Sequence, residues 1–215
     1  MIQLSKTSKM PCPSWSLEAL KTCPGSRTPE GGLVPACKGC YATQRFYRMP
    51  VVQRARASNR IDWQRPGWVP EMIEAIGDSA HFRWFDSGDC YHPGLAKKIH
   101  LVVKGTPGAR HWMPTRSYKI PRIKKVLDKM MRECDNIVVR YSSDAVDGTF
   151  TVKGKHLSTI VHKDDAHLLP KGVHTCPAYT QGGKCGSCRA CWQRGVQKVA
   201  YIAHTQKMEK VIHEG

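Results

Sequence analysis

Between residues 81 and 162, short apolar runs and amphipathic stretches alternate, and this restricts the fold more than any other property of the chain. His81–Phe85 (HFRWF) reads as a strand, Gly94–Lys104 as an amphipathic helix, and Arg110–Thr115 (RHWMPT) as the next strand. From Ile120 to Cys134 the apolar residues Ile123, Val126, Leu127, Met130 and Met131 draw a helical stripe. Asn136–Tyr141 (NIVVRY) has the continuous apolar character of a strand buried on both faces, and Leu157–His162 reads as another strand. Strands separated by helices of this length pair in parallel through right-handed crossovers. The expected class is α/β, either a partial (β/α) barrel or an open parallel sheet, followed by a cysteine-rich C-terminal segment. At 215 residues the chain holds one sizeable core. We read residues 1–170 as the α/β domain with an N-terminal cysteine loop and 171–215 as a cysteine-rich segment packed on it.

In parallel α/β folds ligands gather where the strands end. The expected strand ends here are Asp86-Ser87-Gly88-Asp89, Thr115-Arg116-Ser117 and Ser142-Ser143-Asp144, which are polar sets that would share one edge. Asp, Ser, Thr and Gly also cap helices and make turns, which is the plainer account of any one set. Two carboxylates around a Ser-Gly turn exceed what capping needs.

The first 40 residues, dense in Pro and Gly, read as loop. Tyr41–Asn59 reads as a basic helix broken or kinked at Pro50, and Val69–Ile76 as a short helix. The basic stretch carries Arg45, Arg48, Arg54, Arg56 and Arg60 with Phe46 and Tyr47 between them. That arrangement suits phosphate contact with base stacking, and equally a solvated basic helix. Lys and Arg number 34 against 17 Asp and Glu, a formal charge of +17. An anionic partner, nucleic acid or nucleotide, is the expectation, although basicity also serves solubility. No apolar run is long enough to span a membrane.

The opening residues Met1–Lys6 lack the basic-plus-apolar pattern of a secretory leader, so the expected location is the reducing cytoplasm. Ten cysteines in that setting point to metal rather than disulfides. Cys185, Cys188 and Cys191 stand at two-residue gaps, and Cys176, followed by Pro177, lies nine positions upstream. This spacing suits a 4Fe-4S cluster, in which a short loop wraps one face and a remote thiolate reaches the last iron. Zinc is the alternative, but zinc ribbons bring two separated pairs. Cys37 and Cys40 form a second pair, with Cys23 able to fold back through a Gly/Pro-rich loop. Three thiolates leave one iron of a cubane open; alternatively the pair shares one centre with Cys176, so the count is one cluster or two. Trp192, beside Cys191, would shield a cluster from water. Cys134 reads as a buried apolar residue. The ten histidines show no metal-type pairing and none is assigned as a ligand.

These residues resemble a known family. LSKTSKMPCPSWS at the start, CKGCYA (Cys37–Ala42), RWFDSGD (Arg83–Asp89), HWMPTRS (His111–Ser117) and CGSCRACW near the end look like the gene product 88 family of phage proteins. The layout is more distantly similar to phage-type radical S-adenosylmethionine proteins, although Cys23 lies fourteen positions before Cys37, a wider gap than their compact motif. The resemblance implies a partial (β/α) barrel and a cluster on Cys23, Cys37 and Cys40. It also implies S-adenosylmethionine beside Ser87, Gly88 and Asp89, with Asp89 accepting from its amino group and Ser142 or Asp144 contacting its ribose. The expected function is a 4Fe-4S protein, radical-SAM-like and acting on a nucleotide or nucleic acid. The alternatives are a redox or structural iron–sulfur protein and a zinc-stabilised nucleic-acid-binding module.

Overall fold

The alternation resolves into a single eight-stranded sheet in a computed structural model that describes residues 2–213. The strands are β1 (Leu4–Lys6), β2 (Pro13–Trp15), β3 (His81–Trp84), β4 (Arg110–Thr115), β5 (Ile137–Ser142), β6 (Leu157–Val161), β7 (His174–Thr175) and β8 (Lys198–Ile202). Their order is β1-β2-β3-β4-β5-β6-β8-β7, and only the β1–β2 pair is antiparallel. The sheet is therefore open, not a barrel. Segment 171–215 adds β7 and β8 to this same sheet.

The helices are α1 (Pro35–Lys38), α2 (Pro50–Asp62), α3 (Trp68–Ile76), α4 (Pro93–Gly105), α5 (Pro121–Glu133) and α6 (Gln206–His213). Four of the six begin on proline, whose fixed φ and missing N–H suit the first helical position. This corrects two expectations. Residues 41–59 are not one kinked helix: two short 3₁₀ turns, Tyr41–Thr43 and Arg45–Arg48, precede α2, and Pro50 starts it. The Pro-rich opening is not all loop, since it supplies β1 and β2.

Period-two alternation sends Phe82, Trp84, Met113 and Val139 to one face, where they pack with Met72, Leu95, Ile99 and Leu127 from the helices. Trp15, Trp68 and Trp84 meet edge-on or tilted inside this core, with Trp15 5.3 Å from Trp68. The opposite face is polar and aromatic. Arg83 lies 4.5 Å over the Trp112 ring, and Trp112 meets Trp192 at 5.2 Å. The cysteine-rich segment covers that face in place of a second helical layer. Cys90 and Cys134 are buried core residues on the helical side.

His111, fully buried on the helical side, carries an acid sensitivity. Trp84 Nε1 donates to its Nδ1 at 3.2 Å, so the ring proton sits on Nε2, facing Thr106 Oγ1 at 2.9 Å. Thr106 in turn donates to the Val102 carbonyl. A second ring proton would point at the Trp84 N–H, and burial holds the His111 pKa down at about 4. The unfolded chain then binds the proton first as pH falls, so stability drops between the usual imidazole range and pH 4. We expect urea denaturation to show a loss of about 2–3 kcal/mol between pH 7 and 4.5 from this residue, flattened in His111→Gln. An unchanged slope in that variant would remove His111 as the cause.

Candidate metal centres

The structure sorts eight of the cysteines into two groups. The first sits at the edge where the parallel strands end. Cys23 leads into a 3₁₀ turn at Pro24–Ser26, where Gly25 is pressed against the chain after β4: a Cβ there would stand 2.2 Å from the Arg116 carbonyl oxygen. Only glycine permits that approach. The Ala36 amide of α1 donates to the Asp144 carbonyl at 2.9 Å, tying Cys37 to the end of β5. Gly39 is pressed in the same way against Met208 of α6.

The loop is thus pinned to two strand ends and one helix, and it brings Cys23, Cys37 and Cys40 together. Burial pushes up all three thiol pKa values. At Cys23 the nearby Asp89 charge and the other two thiols push the same way, while Arg116 opposes the rise at Cys37 and Cys40. Arg116 Nε and Asp144 Oδ1 lie 3.4 Å apart here, and neither makes a hydrogen bond.

The Ser87-Gly88-Asp89 turn lies beside this group, and its polar atoms serve the fold. Asp89 is buried and accepts from Thr115 Oγ1 at 2.6 Å, the Arg116 amide at 2.8 Å and the Cys90 amide at 2.7 Å. Ser87 donates to the Leu17 carbonyl and accepts from Arg56. Gly88 has φ +72 and meets Leu17 closely, so a side chain there is excluded twice over. Ser142 accepts from Ser158 at 3.2 Å. Asp144 pairs with Lys119 at 2.5 Å and stays partly exposed.

The second group lies on the polar face. His174, Cys176, Cys185, Cys188, Cys191 and Trp192 line one pocket. Cys176 is placed by its amide, which donates to Ala200 of β8, and Cys185 by donation to the Lys9 carbonyl. Cys188 Sγ is 3.4 Å from His174 Nε2, and Cys191 Sγ is 3.3 Å from the Tyr201 hydroxyl. Cys12 belongs, with Met10, Trp112 and Trp192, to the apolar cluster against which Cys185 and Cys191 pack. Burial raises Cys12 and Cys191 to about 11, against the pull of Arg83 on both and of Arg140 on Cys191.

Arg140 and Arg83 are the cations acting on Cys191 in this pocket, and spacing along the chain points to neither of them. Arg140 is 0% exposed and donates to four carbonyls, those of Leu157, Gln197, Ala190 and Val196, and to no carboxylate. Arg83 contacts Met10 Sδ at 3.5 Å and the Tyr41 hydroxyl at 3.2 Å, with its Nε unpartnered. A buried cation calls for an anion close by, and Arg140 has only carbonyl dipoles in its place. The sequence carried a signal for Arg140, which follows the apolar Ile137-Val138-Val139 in a strand expected to be buried on both faces. Arg83 also joins the two groups in space, bridging Tyr41, which follows Cys40, to Trp112 and so to Trp192 beside Cys191.

The expected basic face is smaller than the sequence reading implied. Arg56 is buried against Asp86, at 3.3 Å, and Arg60 pairs with Glu18 at 2.5 Å. Arg45, Arg48 and Arg54 remain exposed with Phe46, which is 77% exposed. Among the described residues no helix is long and apolar enough to cross a membrane.

An open, mostly parallel sheet with thiols grouped at its strand ends and on one face defines a cysteine-rich α/β protein. Residues 2–194 match the family described as Gene product 88, and the chain belongs to that family. The matched span contains all ten cysteines and stops before β8 and α6. No curated protein and no solved structure matches the chain.

Proposed function

We propose that this protein is a 4Fe-4S protein whose C-terminal cluster is held by Cys176, Cys185, Cys188 and Cys191. The observation that carries the reading is the pairing of four thiols in one pocket with Arg140, a fully buried cation that has carbonyl partners but no carboxylate. A thiolate-ligated cluster is anionic and balances that charge, and the same donor set favours iron–sulfur over harder metals. Trp192 covers the pocket, and its Nε1 is anchored on the Phe82 carbonyl at 2.9 Å, so the shield is fixed against the sheet. Cys191 gains a hydrogen-bond donor in Tyr201, which favours its thiolate.

Cys23, Cys37 and Cys40 form the second iron site in this reading, with one coordination position free of protein ligands. When bound, a cluster supplies electron transfer and, at such a position, a place for a small ligand. Around it Arg116 and Asp144 offer one cation and one anion to a zwitterionic ligand of the amino-acid type, which S-adenosylmethionine exemplifies. Asp89 holds the rim through Thr115 and the Arg116 amide. The exposed Arg45, Arg48 and Arg54 beside Phe46 suit a nucleotide or nucleic acid as the further partner. A thiol-rich metal protein of this kind suits a reducing compartment such as the cytoplasm.

Anaerobic purification followed by iron, zinc and acid-labile sulfide analysis tests the proposal. We expect brown protein with iron and sulfide in equal amounts and a broad absorption near ~400 nm. Colourless protein carrying zinc without sulfide overturns it in favour of a zinc-stabilised fold.

A further inference from the structure

The geometry points to a third metal site, for a divalent transition ion of the zinc class, at His162, Glu209 and His213. Its ligands are nitrogen and oxygen, and it is independent of the cysteines. Glu209 and His213 are four residues apart on α6 and so share one helix face. His162 follows the last residue of β6 directly, at the edge where the parallel strands end. One ligating atom from each of the three lies within 4.8 Å of the other two, the only such set of three among the described residues.

The orientation of His162 suits the role. Its Nδ1 accepts from the Asp164 amide at 3.4 Å and lies 3.4 Å from Asp164 Oδ2, while Nε2 is directed at Glu209 Oε2, 3.0 Å away. Asp164 thus fixes the ring from behind, and an ion between Nε2 and Glu209 would take the place of their direct contact. His213 completes the set, its ring centre 5.5 Å from that of His162. Two histidines and one carboxylate leave a coordination position for water and suit zinc or cobalt rather than calcium or magnesium.

The site would act as a clamp. Met208 of α6 packs on Gly39, and Lys207 reaches Thr43 at 3.4 Å, so α6 rests on the loop that carries Cys37 and Cys40. An ion that fastens α6 to the end of β6 also fastens that loop.

Cobalt(II) reports the ligand type, because thiolate ligation gives intense near-ultraviolet charge transfer and nitrogen–oxygen ligation does not. Cobalt(II) is titrated into the full-length protein as isolated, alongside His213→Ala and Glu209→Gln. We expect one equivalent to bind with weak visible bands and no added charge transfer, and each variant to bind about tenfold or more weakly. Because these side chains lie on a partly exposed helix, the variants should keep the wild-type circular dichroism. The assignment is overturned by identical isotherms in wild type and both variants, or by cobalt that enters only with thiolate charge transfer.

Discussion

Replacing Cys188 and Cys191 together by serine should, if the C-terminal pocket holds the proposed cluster, strip it of iron and sulfide while leaving the sheet intact. Both thiols line the same pocket, and two serines in place of two thiolates remove half of the four-thiol ligand set. The sheet should survive because β8 pairs with β6 over five residues and its register owes nothing to the thiols. Loop 176–192 is different. It is held by single amide contacts, such as Cys185 to Lys9 and Cys176 to Ala200, and by the carbonyls that Arg140 gathers. Hydrogen exchange should therefore speed up in 176–192 and stay slow in β4, β5 and β8. Full retention of iron and sulfide in the double variant would refute the ligand assignment.

Arg140→Met is expected to be the most damaging single substitution on the polar face. Arg140 sits in β5, between β4 and β6, and its guanidinium reaches Leu157 and Val196 at 3.1 Å and Gln197 and Ala190 at 3.4 Å. Methionine fills much of the volume but leaves those buried carbonyls without their donor, a cost of about 3 kcal/mol in global stability. The variant also loses the cation facing Cys191, so its cluster should be released sooner under chelator. Arg140→Lys keeps the charge but has only three donors on one nitrogen, and should fall between wild type and methionine. The paired readout is chemical denaturation with and without bound iron. If Arg140 serves only its carbonyls, the loss is the same in both; if it also balances an anionic cluster, the loss is larger in the iron-bound protein. Wild-type stability and iron retention in Arg140→Met would remove the electrostatic argument for the pocket.

Much of the fold could be read before the structure because its elements are locally determined. Strands β3 to β6 and helices α3 to α5 appear where apolar spacing placed them, within a residue or two at the ends. What failed was local in another way. The prolines at 35 and 50 start helices, and a proline read in isolation does not say whether it ends one element or begins the next. β1, β2 and β7 have two or three residues each, too short for a period to show, and they exist because a neighbouring strand supplies their hydrogen bonds.

The division is sharper for the sites. Parallel pairing of the strands, polar strand ends on one edge, and an N-terminal and a C-terminal set of cysteines were all legible along the chain. All of this follows from spacing along one chain. It took the folded chain to leave the sheet open and to put one thiol set at the strand-end edge and the other on the polar face. The tertiary structure also decided that Asp89 and Ser87 spend their polar atoms on the fold, and that two arginines read as surface charge, Arg56 and Arg60, are paired internally. It brought His162 to Glu209 across 47 positions, where no spacing rule reaches. The physical reason is the same throughout. Hydrophobic period and ligand spacing are properties of neighbouring residues, whereas the partner of a buried charge or a lone histidine is set by which distant strand end or helix the sheet brings against it.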